Sequence, residues 1–164
     1  MSFAEFDVRT WTAEADSATF KLLIKFLKPL QSISDSRERM ENLMQMLRLY
    51  TGSDGESHYD TIEYAMNLLD DSPPAKPHWF TDAQSAKSWV HIRCPVGWDG
   101  GLHPTPRRQI IICTAGSVRV TSSLGDAREL RPGNAVLLED TSGKDHVSEV
   151  TSPSDFEAIA IRLE

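Results

Sequence analysis

The 164-residue chain has no excess of positive charge: 17 Lys and Arg stand against 24 Asp and Glu, a formal net charge of −7. Neutralising a phosphate backbone needs the opposite balance, so nucleic acid is not an expected partner. Cysteine is scarce. Cys94 and Cys113 each sit inside an apolar run and read as buried free thiols in a reducing compartment, not as a disulfide framework. Long hydrophobic runs are missing too. Leu22-Leu23-Ile24 is broken at once by Lys25, and nothing approaches the roughly 18 apolar residues of a membrane span. The first residues carry Glu5 and Asp7 and no basic stretch before an apolar core, so neither a signal peptide nor a membrane is expected, and a cytoplasmic location is the expectation. The sequence has no GxSxG elbow, no GxxxxGKS loop, no dinucleotide-binding glycine fingerprint, no HExxH and no CxxC. Serine hydrolase, nucleotide triphosphate and zinc-finger chemistries therefore have no support.

What is present is an ordinary globular composition, 40% hydrophobic and 25% charged. A chain of this length buries roughly two thirds of its unfolded surface and needs no staple to fold. Its periodicity changes near residue 50. Phe20, Leu23, Ile24 and Leu27 fall on one face of a helix over Asp16–Leu30, ended by Pro29. A second helix is expected from Ser34-Asp35-Ser36, with Asp35 and Glu38 as a capping box and Met40, Leu43, Leu47 and Tyr50 as its apolar row, stopping at Gly52. Met44 and Met46 widen that face. These helices either dock on the rest of the chain or form a partner-binding element. Residues 1–52 are thus read as a helical extension and 53–164 as a β domain.

From Ser57 onward the pattern is period two. Strands are expected at Ser57–Met66, Ser88–Cys94, Gln109–Thr114, Ser117–Ser122, Ala135–Glu139, His146–Val150 and Phe156–Leu163. Asp70 to Asp82 carries three prolines and reads as a surface loop. Short strands at close spacing argue for an antiparallel sandwich or barrel.

The stretch from Gly100 to Gly116 is the informative one. His103 stands beside Pro104, Thr105 and Pro106, then Arg107, Arg108 and Gln109 lead into the apolar Ile110-Ile111-Ile112-Cys113. Prolines stiffen this backbone and make it a firm mount for side chains. Thirty residues past Gly116, the turn Gly143-Lys144-Asp145 delivers a second histidine, His146.

With these residues the chain resembles the cupin superfamily, in its small single-domain, RmlC-like form. His103 takes the first histidine position of the first cupin motif, Gln109 the glutamate position, and Gly116 closes it. Pro132-Gly133 and the strand to Leu138, then Gly143 and His146, match the second motif. The resemblance covers about residues 85 to 163 and extends more loosely to Asp54–His58. It implies a double-stranded β-helix (an antiparallel barrel or jelly roll) with the site inside, and a homodimer. It also implies a metal site, from which this chain departs: Thr105 replaces the second histidine and Gln109 the glutamate. Two readings follow. His103, Gln109 and His146 hold a divalent ion (Fe, Mn, Ni or Zn), with Asp140 or Glu139 as the carboxylate, or they line a metal-free pocket.

Strand alternation places Arg107 on the face of Gln109, where it would grip a carboxylate or enolate oxygen. The other reading of the arginines is a salt bridge to Glu139 or Asp140. His58, Tyr59 and Asp140 are candidates to move a proton. Of His58 and Tyr59, one should face inward. His91 and Trp98 are candidates to bind a small-molecule ligand. His91 alternates with Val90 and Ile92, and periodicity does not choose the inward face. Cupins include dioxygenases, isomerases, cyclases, lyases and non-catalytic binders. The reduced ligand set points to isomerase, cyclase or lyase chemistry on a small organic acid or metabolite. The alternative is a ligand-binding or regulatory cupin whose helices bind a partner.

Overall fold

The structure, a computed structural model, describes residues 42–163. Eleven strands follow in order: β1 Leu43–Thr51, β2 Ser57–Leu69, β3 His78–Thr81, β4 Ser88–Cys94, β5 Asp99–His103, β6 Gln109–Ala115, β7 Val118–Ser122, β8 Ala127–Leu130, β9 Ala135–Glu139, β10 His146–Val150 and β11 Phe156–Arg162. They form a seven-stranded sheet in the order β3-β2-β1-β9-β6-β11-β4 and a four-stranded sheet in the order β5-β10-β7-β8. Among the described residues no helix is long and apolar enough to cross a membrane.

Strands β4 to β11 alone account for the closed part of the fold. Except for the β7–β8 hairpin, they alternate between two four-stranded faces, β9-β6-β11-β4 and β5-β10-β7-β8, with antiparallel pairing throughout. That winding is a double-sheeted jelly roll, the architecture the cupin resemblance implies. Strand chemistry explains it locally. In β6, Ile111 and Cys113 are buried with Gln109 while Ile110 and Ile112 are half-buried, the period-two signature of a strand with one face on the core. Along β11 the inward positions are Phe156, Ala158 and Ala160. The two alanines oppose Cys113 and Ile111 of β6, so small residues face larger ones across the pair. Gly116, which closes the first motif, turns with φ 66°, and a Cβ there would lie 2.3 Å from the Asp155 carbonyl oxygen. Only glycine allows that approach.

Three expectations are corrected. The helix predicted to run to Tyr50 is, over Leu43–Thr51, strand β1, paired in parallel with β9 from Leu47↔Val136 to Tyr50↔Glu139. Leu47 belongs to the helical row, but it also alternates with Leu49, which is fully buried in the core. Pairing with β9 and burial decide between the two patterns, as tertiary context routinely overrides local propensity. The Pro-rich segment read as a loop contains β3, which pairs with the far end of β2 from Met66↔Thr81 to Leu69↔His78. Strands β5 and β8 fall in stretches to which the sequence reading assigns no strand. The predicted helix over Asp16–Leu30 and the start of the second lie outside the described residues. Both cysteines are free and buried, as read from the sequence. Burial pushes both thiols above the ordinary cysteine range.

Candidate functional site

His103 ends β5 and His146 begins β10, and the antiparallel register sets them directly opposite each other. Cross-strand partners project to one face of a sheet, so both rings enter the space between the two sheets. Their centroids lie 4.6 Å apart with the ring planes tilted by 57°. They line a cavity of about 130 Å³ together with Gln109, Trp98 and Ser148 at its polar end. Apart from Thr105, the rest of the wall is mostly apolar and includes Ile92, Ile111, Val120, Val136, Leu138 and Phe156. Trp98 reaches this place because Gly100 leaves room for it. A Cβ on Gly100 would sit 2.5 Å from the indole and 3.0 Å from the His103 ring.

Each imidazole has its Nδ1 occupied. In His146 it bonds Asp140 Oδ2 at 2.5 Å, and in His103 it bonds the Gly101 carbonyl oxygen at 3.0 Å. A carbonyl can only accept, and the carboxylate of Asp140 accepts as well, so both Nδ1 atoms carry the proton. Each Nε2 is then left with its lone pair, and neither has a protein partner among the described residues. Asp140 is fully buried and is itself fixed by Thr105, whose hydroxyl donates to Oδ1 at 2.5 Å and whose backbone N–H donates to the Asp140 carbonyl at 3.0 Å. Gln109, at 9% exposure, aims an amide with no protein partner among the described residues into the cavity. Ser148, equally buried, does the same with its hydroxyl.

Other candidates stand elsewhere. Arg107 is exposed and does not line the cavity. Strand β6 begins only at Gln109, so the alternation that would have turned Arg107 inward does not extend back to it. Arg108 takes the salt bridge instead, with Nε 2.5 Å from Glu139 Oε1, and Arg48 holds the second oxygen at 3.2 Å. Of the His58–Tyr59 pair it is Tyr59 that turns toward the core, donating to the Val120 carbonyl at 3.0 Å without lining the cavity. Burial, then the Asp140 charge, pushes its phenol well above the ordinary tyrosine range. His58 lies outward against Asp54, 3.0 Å away, and its hydrogen bond holds that carboxyl below the usual range. His91 is exposed and stands edge-on to Trp89 at 5.4 Å, while Ile92 and Cys94 take the cavity face.

Asp140 was a candidate carboxylate for a metal, and here the donor set does not fit one. Both of its oxygens are taken by Thr105 and His146, on the far side of the His146 ring from its free Nε2. Among the described residues no three His, Cys, Asp or Glu side chains come together at metal-binding distance. Two neutral imidazoles and an amide offer no anionic ligand to a divalent ion. Thr105 and Ser148 are the residues that the sequence reading missed. Thr105 was visible only as a lost histidine, although a threonine between two prolines on a stiff segment is well placed to hold a neighbour.

No protein-family model matches the chain, and no curated protein matches it. Solved structures similar to it include a cupin 2 conserved barrel domain protein from Salinispora arenicola (TM-score 0.41, 18% identity, 62% of this chain and 76% of that one). They also include the Cnp3 cupin domain of Schizosaccharomyces pombe (TM-score 0.37, 9% identity, 75% and 85%). A third is a sugar phosphate isomerase of the cupin superfamily from Silicibacter pomeroyi (TM-score 0.36, 14% identity, 75% and 73%).

Proposed function

We propose that the protein binds a small metabolite inside the jelly roll and moves a proton on it, in isomerase, cyclase or lyase-type chemistry. The observation that carries this reading is the Asp140–His146–His103 arrangement at the polar end of an apolar cavity. Asp140 fixes His146 in the tautomer whose Nε2 is the base, and its carboxylate stabilises the imidazolium formed when that nitrogen takes a proton. His103, with its ring 4.6 Å away, presents a second Nε2 to the same space. Both Nε2 atoms open on one space, and neither has a protein partner among the described residues. That is the condition for taking a proton from one atom of a ligand and returning it to another. The Gln109 amide is placed to donate to an oxygen on which charge develops.

The test is a screen of small metabolites by ligand-observed NMR, followed by deuterium exchange at ligand C–H positions in D2O. Bound ligands should be lost in Ile111→Phe, which fills the cavity, and their exchange should be lost in His146→Ala. Ligands that bind without any exchange would leave a non-catalytic binder as the better reading.

A further inference from the structure

We infer that the cavity takes a compact, uncharged ligand, a ring or short branched chain of about six to nine non-hydrogen atoms carrying a single carbonyl or hydroxyl group. This deepens the function proposed above and rests on it. Size comes first. A cavity of about 130 Å³ is close to the roughly 150 Å³ apolar cavity that accommodates benzene, and a nucleotide, a sugar phosphate or a second ring would have to extend out through its open side.

Charge comes second. No Lys, Arg, Asp or Glu lines the cavity. Arg107 is exposed, Arg108 is spent on Glu139, and the Asp140 carboxylate is sealed behind His146 and Thr105. An anionic ligand would therefore lose its hydration without meeting a fixed cation, and a cationic one would meet no fixed anion. The polar groups that do reach the space are neutral and clustered: the two imidazole Nε2 atoms, the Gln109 amide and the Ser148 hydroxyl. Gln109 and Ser148 are each nine-tenths buried, and neither side chain has a protein partner among the described residues, so both are free to bond a ligand oxygen. Opposite them the wall is Val, Leu, Ile and Phe, which suits a hydrocarbon body.

The experiment is isothermal titration calorimetry of the intact protein at about pH 8, above the range in which imidazoles ordinarily protonate. The probes are benzamide, benzoate and biphenyl-4-carboxamide. Benzamide and benzoate have the same size and differ in charge, and the biphenyl amide differs in size. Benzamide is expected to bind at least ten-fold more tightly than benzoate, to shift the His103 and His146 ring protons in NMR spectra, and to outcompete the biphenyl amide. Benzoate binding as tightly as benzamide would overturn the charge assignment, and equal binding of the biphenyl amide would overturn the size. Absence of binding by all three overturns the ligand class. In that case, hits from the metabolite screen that Ile111→Phe abolishes keep the cavity as the ligand site. If no ligand responds to Ile111→Phe, the site itself is lost. The ring-proton shifts are read on the unsubstituted protein, so the outcome does not depend on how well any variant folds.

Discussion

His146 and Asp140 share a hydrogen bond of 2.5 Å in the interior of the protein, with Asp140 fully buried and His146 nearly so. Thr105 closes the other oxygen of the same carboxylate. The pair converts an ordinary surface titration partner into a fixed orienting group, because a buried carboxylate with both oxygens occupied cannot turn to serve another role.

Replacing Asp140 by Asn should leave the fold in place and reverse the His146 tautomer. The amide oxygen still accepts from Thr105, but the amide nitrogen donates to Nδ1, which moves the proton to Nε2 and removes the base. Ring 15N shifts would register the switch, and turnover on any identified substrate should fall at least about 100-fold, by analogy with other carboxylate–histidine pairs. Unchanged nitrogen shifts would refute the assignment. Asp140→Ala should instead destabilise the protein by about 3 kcal/mol, since it leaves two buried donors unpaired.

Glu139, at the end of β9, ties β1 to the segment just before β6 through Arg48 and Arg108. Glu139→Gln keeps the size and removes the charge, so the melting temperature should drop by about 3 °C, the equivalent of roughly 1 kcal/mol for a partly buried charge network. Arg48 also grips Asp60 with two nitrogens, 2.9 and 2.5 Å from its oxygens, and so holds that carboxyl below the usual range. This contribution is present above the ordinary aspartate pKa and is lost as the pH falls through the lower folded value. Arg48→Met should therefore narrow its stability gap to the parent protein in acid. A gap that stays constant from about pH 6 to pH 3 would contradict this.

The Tyr59 phenol is raised by burial, so its contribution runs the other way. It is complete below the ordinary tyrosine pKa of about 10 and is lost as the pH climbs toward the higher folded value. Tyr59→Phe should cost about 1 kcal/mol at neutral pH through the lost donor to Val120, and the difference should shrink in denaturation measured above about pH 10. Parallel curves across that range would count against it.

Gln109 lines the cavity with both imidazoles, so Gln109→Glu supplies the anionic ligand that the site lacks. The variant should retain close to one equivalent of Zn or Mn through desalting, by elemental analysis, where the parent protein retains much less. Equal metal in the two proteins would show that charge at this position does not limit metal binding.

The β-rich half was legible because alternation and turn chemistry agreed. Ser88–Cys94, Ala135–Glu139 and His146–Val150 have the boundaries that the sequence predicts. That His103, His146 and Gln109 belong together was expected only through the resemblance to the cupin motifs, and no spacing or periodicity by itself pointed to it. What failed did so for identifiable reasons. Leu43 to Tyr50 fits two periods, and only the distant partner β9 decides between them. Arg107 was given the alternation of a strand that starts two residues later. The face of β4 that lines the cavity needed the observed packing, because Val90, Ile92 and Cys94 could equally have been the outer row on pattern alone. Thr105 and Asp140 lie 35 positions apart and belong to no shared pattern, so their bond could not be anticipated.

The parallel seam between β1 and β9 has a consequence for how the chain assembles. Arg48 and Glu139 are 91 positions apart, yet they meet across it. During synthesis β1 emerges long before the strand it must lie against, and its apolar row stays unsatisfied on that side until the jelly roll behind it has been made. A contact of such high sequence separation forms late and slows folding. The first of the described strands is then among the last to be seated.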